Sequence, residues 1–473
     1  MCDSLSAIFD SEELNDGGDG TGCEPWRVWR PAPAKKGQQV LDRIALRETA
    51  SIRRLARCRA EQVAYARFFH NPHVTVDEIL ATAGGRTAQA AAGRHVLLVE
   101  DTSEINYQAK SGRKRGLGRV GNGTDVGLFV HPALAIDAAD GTVLGLAGAK
   151  IWRRTNAKRR DYQERPIETK ESYRWLETIV EARAGLDRSP LVTAIADREA
   201  DIFELFVRLP DEQTHVLVRA AHDRALGDGC HLFKKLAAQP EVGQIAFELA
   251  ARPGRPARSV RLAVRFQAVT LRQPRRGADP RDPKTAPLNA VEVREIDPPS
   301  KKEAVHWRLL TTHRVVTLND ALDVVGLYRL RWTVEQLFRT LKSQALDIEA
   351  SFVEDAEALE RLAATALVAA TMVMQLVHAR GEAGHTLPAA RIFSPSQIAA
   401  LHALTKRLEG RTAKQKNPHP SECLAWASWH IARLGGWTGY ASERPPGPIT
   451  FSRGLQRFEA IAEGIAIAQS TRH

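Results

Sequence analysis

The segment Tyr328–Lys342, YRLRWTVEQLFRTLK, gathers side chains that could do chemistry. At about 100° per residue on an α-helix, Tyr328, Arg331, Glu335, Arg339 and Lys342 share a stripe roughly 80° wide. Leu330, Val334, Leu337 and Leu341 lie opposite, with Phe338 at their edge, so a core is expected on that side. One carboxylate among three cations and a phenol can ligate a metal ion while the cations hold phosphates on either side. A solvated face laced with Arg331–Glu335–Arg339 pairs would give the same stripe. Acids elsewhere in the chain separate the two readings.

Asp101 closes HVLLVED (His95 to Asp101), an unbroken apolar run suited to a buried strand. Asp197 closes LVTAIAD (Leu191 to Asp197), ahead of a helix that begins READIFELF. Singly, Asp101 could close a turn and Asp197 could cap a helix. Together, neighbouring strand ends can bring two carboxylates within metal-bridging reach, and Glu335 can complete the set. Two divalent ions about 3.5–4 Å apart would activate a water or a 3′-hydroxyl and stabilise the leaving oxygen of an in-line phosphoryl transfer. Hard oxygen donors, with no CxxC or Cys/His cluster, select Mg2+, with Mn2+ as a substitute.

The surrounding pattern supplies elements to position these acids. VGLFVHPALAID (Val126 to Asp137) and GTVLGLAGAKIW (Gly141 to Trp152) read as two further strands about an Asp140–Gly141 turn, and a helix is expected over Glu168 to Ala184. Three strands, a helix, a strand and a helix, with acids ending the first and fourth strands, is the order of a ribonuclease-H-like α/β domain. THVLVRA, IAFELAA, SVRLAVRFQAVTLR and AVEVREI, between Thr214 and Asp297, read as an inserted antiparallel β-region. HWRLLTT (His306 to Thr312) resumes the buried sheet.

The expected organisation is a poorly ordered acidic tail at 1–25 and a helical, basic head at 26–93. Arg43, Arg47, Arg53, Arg54, Arg57 and Arg59 make that head a DNA-contacting candidate. A catalytic domain over 94–379 contains the insertion at about 214–300, and a helical domain covers 380–473. The length, 473 residues with 43% hydrophobic content, suits two or three folded domains. The net charge of +11 favours a polyanionic partner. Five scattered cysteines suggest neither a disulfide framework nor a structural zinc, and fit a reducing cytosol. The N-terminus has no apolar signal core, and the apolar run Leu362 to Met374 falls short of the roughly 20 residues of a membrane span, so a core helix and no membrane are expected.

Tyr328, Arg331, Glu335 and Lys342 together resemble the Y-R-E-K signature of bacterial insertion-sequence DDE transposases, the group that includes the transposon-five transposase. Glu100–Ser103 (EDTS) and Ala196–Glu204 (ADREADIFE) are similar to that family's first and second acid motifs, and Lys170, Glu171, Ser172 and Trp175 to the helix before the second. In the head, Arg67, Phe68, Asn71 and Pro72 fit the family and Ala66 departs from it. The resemblance implies that Asp101, Asp197 and Glu335 bind two Mg2+ ions, and that Tyr328, Arg331, Arg339 and Lys342 hold the transposon-end backbone. It further implies an active-site role for Arg219 and stacking of Trp307 on a flipped base. Double-stranded DNA would be the partner, both as transposon ends and as target. A homodimer would pair the ends through Leu424 to Trp437, in the bacterial cytoplasm on nucleoid DNA. Cleavage would proceed through a hairpin to strand transfer. A nuclease of the same fold that never joins DNA, or a non-catalytic DNA-binding regulator, would share many of these features.

Overall fold

In the computed structural model, the residues described are 31–121, 123–154, 164–249, 257–300, 304–344, 346–440 and 443–470. The tail expected at 1–25 lies outside them. The chain divides into two compact units. One comprises residues 83–109 and 117–339; the other comprises the described parts of 1–82 and 340–473 together with 110–116.

The first unit is built on one sheet of eleven described strands: β1 (His95–Glu100), β2 (Ser103–Asn106), β3 (Gly118–Val120), β4 (Asp125–Asp137), β5 (Val143–Trp152), β6 (Leu191–Ala196), β7 (Thr214–Arg219), β8 (Gly243–Leu249), β9 (Arg258–Arg272), β10 (Thr285–Glu295) and β11 (His306–Thr311). β1 runs antiparallel to β4, and β4 to β5, while β6 is parallel to both β1 and β7. Val96 to Val99 and Val192 to Ala196 are buried, which is why these strands read as unbroken apolar runs. Gly141 takes φ 76° in the turn between β4 and β5, a left-handed conformation that glycine adopts at little cost.

Two expectations change here. Thr214–Arg219, grouped from sequence with the inserted strands, is β7, and it extends the parallel part of the sheet beside β6. The inserted strands β8, β9 and β10 are antiparallel as expected, but they continue the same sheet, joined through β11, which is antiparallel to β7. A strand that is apolar on both faces and one that alternates look alike over six residues. Only the partner across the ladder tells them apart.

The second unit is helical. Its central helix, Ala356–His378, is buried along nearly all of its length and is capped by Asp355, whose carboxylate accepts from Ala358 N at 3.0 Å. It is the one described helix long and apolar enough to cross a membrane, and its burial marks it as a core helix. Helices Pro31–Arg47, Arg59–His70, Leu424–Leu434 and Pro448–Ser470 pack on it, so the described part of the expected head through Thr82 and the expected tail domain lie in one unit, while 83–93 belong to the sheet unit.

The basic head is correspondingly less free than its composition suggests. Arg43 bonds Glu459 and, at 2.6 Å, Glu463; Arg47 pairs with Glu459 at 2.9 Å; and Arg57 pairs with Glu61. Leu424 to Ala432, within the segment expected to dimerise, is buried inside the unit and presents no open face.

Candidate active site

The ladder between β1 and β6 brings two acids together. The register that pairs His95 with Leu191 and Val99 with Ile195 carries Asp101 level with Asp197, just past the C-terminal ends of two adjacent parallel strands. That edge of an open α/β sheet is where ligands ordinarily bind. Each acid is held by its own turn. Asp101 Oδ1 accepts from Thr102 N at 2.8 Å, and Asp197 Oδ1 accepts from Glu199 N at 2.9 Å, capping the short 3-10 turn Arg198–Ala200.

Glu335 arrives from helix Thr333–Arg339. This is not the continuous α-helix expected over Tyr328 to Lys342. The α-helix Leu318–Arg329 tightens to 3-10 at Leu330–Trp332, resumes at Thr333–Arg339, and widens to a π turn at Thr340–Gln344. Tyr328 continues the buried face of the first helix, with Ala321, Val324 and Val325. Tyr328 and Arg331 are buried, while Leu330, expected on the core side, is half-exposed. Irregular turns of this kind are often found at functional sites.

Arg331 ties the first acid to the third. Its Nη1 donates to Asp101 Oδ2 at 3.1 Å and its Nη2 to Glu335 Oε1 at 2.9 Å, with only 7% of the side chain exposed. Tyr328 also hydrogen-bonds Arg331. Burial and the neighbouring charge of Asp197 push the Asp101 carboxyl up to about 6, with Glu335 adding to the rise and Arg331 opposing it. Burial raises the Tyr328 phenol. Burial lowers Arg219, which faces Tyr328, Arg331 and Asp197 and donates to His306 O at 2.9 Å.

Trp307 on β11 is 8% exposed. It packs edge-on against Tyr328, ring centroids 5.4 Å apart, and lies beside Phe247 at 6.3 Å. A base could stack on it only after this packing opens. Arg339 ends its helix on the surface. Lys342 falls in the other unit, 3.7 Å from Glu349.

Asp101, Asp197, Glu335, Tyr328, Arg331, Arg219 and Trp307 therefore share one neighbourhood in the sheet unit, and Lys342 does not belong to that unit. Among the described residues no three His, Cys, Asp or Glu side chains converge on a common point as closed metal ligands. Here the Arg331 guanidinium stands between Asp101 and Glu335. The donor set nevertheless suits a hard divalent ion: three carboxylates, with burial and then the neighbouring charge of Asp197 lifting Asp101.

Sequence reading missed Arg174. Its guanidinium reaches Thr102, next to Asp101, and Glu199, two residues beyond Asp197. Nothing in its local sequence distinguishes it from any other arginine at a helix start. Glu171, in the Lys170–Ser172 segment singled out from sequence, binds Trp152 Nε1 at 3.0 Å and Arg154 at 2.7 Å, anchoring the end of β5.

Comparison with known proteins adds to this geometry. Residues 176–372 match the family model of the transposase DDE domain. The match spans less than half of the chain. The matched segment contains Asp197 and Glu335, and Asp101 precedes it. Among solved structures, a piggyBac transposase in a synaptic complex with hairpin DNA is similar at 9% identity and a TM-score of 0.33, a likeness too distant to bear on the fold. That alignment covers 80% of this chain, and this chain spans 56% of the other.

Proposed function

We propose that this protein is a cut-and-paste DNA transposase of the bacterial insertion-sequence type, with Asp101, Asp197 and Glu335 as its metal-binding catalytic residues. The observation that carries the reading is the placement of Asp101 and Asp197 at matched ends of adjacent parallel strands, with Glu335 bound to the same Arg331 as Asp101. The order β5-β4-β1-β6-β7, antiparallel and then parallel, supports a ribonuclease-H-like catalytic fold. The Y-R-E-K spacing supports likeness to the transposon-five group.

The three carboxylates would hold Mg2+ or Mn2+, two ions per site, and the bound ions would supply Lewis-acid activation of the attacking and leaving oxygens. The remaining work belongs to side chains of this chain. Arg331 and Arg219 place positive charge beside the acids, where a scissile phosphate can be held in line. Tyr328, fixed by Arg331, limits how the helix carrying Glu335 can shift. Arg339 and Lys342 would contact the DNA backbone, and Trp307 would receive an extrahelical base during a hairpin step. Joining two ends requires two copies, so a homodimer assembled on DNA is part of the proposal, as is action on nucleoid DNA in the cytoplasm.

The test uses DNA bearing the inverted repeats that flank the coding region. Asp101→Ala, Asp197→Ala and Glu335→Ala should each abolish cleavage in Mg2+ while end binding persists. A single-acid variant that cleaves at the parental rate removes that residue from the site and with it this assignment.

A further inference from the structure

The geometry points to Arg174 as a positioning residue that sets the separation of Asp101 and Asp197 by clamping the two turns that carry them. This inference rests on the metal-site reading above and extends it to a residue outside the acid set and outside the basic stripe.

The two acids are held in parallel ways. Thr102 N donates to Asp101 Oδ1, and Glu199 N donates to Asp197 Oδ1. Arg174 binds the side chains of these same two donor residues. Its Nε donates to Thr102 Oγ1 at 3.0 Å and its Nη2 to Glu199 Oε2 at 3.1 Å. Its Nη1 donates to Glu171 O at 3.0 Å, tying the fork to the 3-10 turn Glu171–Tyr173 that leads into its own helix, Arg174–Ala184. One planar guanidinium thus spans the first-acid turn and the second-acid turn, which lie 96 residues apart in the chain.

The surroundings make this clamp stiff. Only 14% of the Arg174 side chain is exposed, and its guanidinium lies 5.3 Å from the Trp152 ring and 5.5 Å from the Trp175 ring. Thr102 Oγ1 is gripped from behind by His131 Nδ1 at 2.9 Å, and His131 is fully buried against Trp175, ring centroids 4.5 Å apart. The Thr102 arm is therefore sheltered, while the Glu199 arm ends on a carboxylate that is 66% exposed. An exposed pair contributes little, so the Thr102 arm should dominate. Only arginine offers a planar fork able to hold both turns at once; lysine offers a single point of contact.

Separation matters because Mg2+ demands near-ideal octahedral geometry. A clamp that fixes the spacing of two ligands is consequently worth more to Mg2+ than to Mn2+. Arg174→Met keeps the apolar stem over the tryptophans and removes the fork.

The experiment titrates Mn2+ into the full-length, DNA-free protein by calorimetry and measures cleavage of inverted-repeat DNA in Mg2+ and in Mn2+. Arg174→Met should raise the Mn2+ dissociation constant about tenfold and lower the Mg2+/Mn2+ cleavage ratio by a similar factor. Thr102→Val should reproduce most of both effects, Glu199→Gln a smaller part, and Arg174→Lys should recover little. If Arg174→Met does not fold, Thr102→Val and Glu199→Gln decide the matter alone. Parental Mn2+ affinity and an unchanged metal ratio in these variants would overturn the clamp and leave Arg174 a packing residue. Failure of the underlying reading looks different: the parental protein would bind Mn2+ no better than Asp101→Ala does, whatever stands at position 174.

Discussion

Replacing Arg331 with methionine isolates the charge balance of the site. The change keeps most of the apolar stem and deletes a guanidinium whose side chain is 7% exposed, bonded to carboxylates that are 21% and 29% exposed. Removing one partner of a fully buried ion pair costs about 3–5 kcal/mol, because the remaining charge is left uncompensated. Both carboxylates here keep some contact with water, which brings the expectation down to about 2–3 kcal/mol. For a unit of this size that corresponds to a melting temperature lower by roughly 5–10 °C.

The deficit should depend on pH. The folded-state Asp101 carboxyl, at about 6, lies above its ordinary value of 3.8, so its contribution to stability is present at low pH and is lost as pH rises through about 6. Without Arg331, which opposes the rise, that loss continues to higher pH. The gap between variant and parent should therefore open above about pH 6. Excess Mg2+ should narrow it, since a cation that binds only the folded state stabilises whichever protein binds it more tightly. The assay is a calorimetric melt of both proteins at several pH values, in EDTA and in Mg2+. Equal melting temperatures above pH 7 in EDTA, with equal gains from Mg2+, would refute the idea that Arg331 neutralises crowded acids.

Neutralising Arg339 and Lys342 together should weaken binding to end DNA and flatten its salt dependence by about two counterions; an unchanged slope of log affinity against log salt would remove both from the DNA contact. Trp307→Ala should lower the melting temperature, because the ring is buried against Tyr328, and should also slow hairpin formation on a pre-nicked substrate more than first-strand nicking. Equal slowing of the two steps would make Trp307 a core residue only, and a parental protein that hydrolyses but never joins true ends would be a nuclease. Burial pushes the Glu48 carboxyl up to about 8, so the folded protein loses stability as pH rises from about 4.5 through 8. Glu48→Gln should thus melt higher than the parent at pH 8, by an amount worth a few kcal/mol, with little difference near pH 4; melts that run parallel across this range would disprove the assignment.

The sequence by itself was enough to locate the acids and the strands that end in them. HVLLVED and LVTAIAD are mainly apolar because both faces of a central strand are covered, and each closes on an aspartate just past the strand's end. The distance between Asp101 and Asp197 was beyond it, because strand partners are chosen across the sheet. The ladder of β1 and β6 sets that register. β7 shows the same limit: six residues of THVLVR do not reveal whether their neighbour runs parallel or antiparallel. The helix of Glu335 failed for another reason. A fixed 100° step assumes uniform pitch, which the 3-10 turn at Leu330–Trp332 interrupts, and burial on more than one side encloses Tyr328 and Arg331 along with the apolar residues. Arg174 was invisible because its meaning lies in two turns it meets only after folding. Residue type and spacing specify which groups are available for chemistry. Hydrogen-bond register and packing decide which of them meet, since those contacts join residues that no local pattern relates.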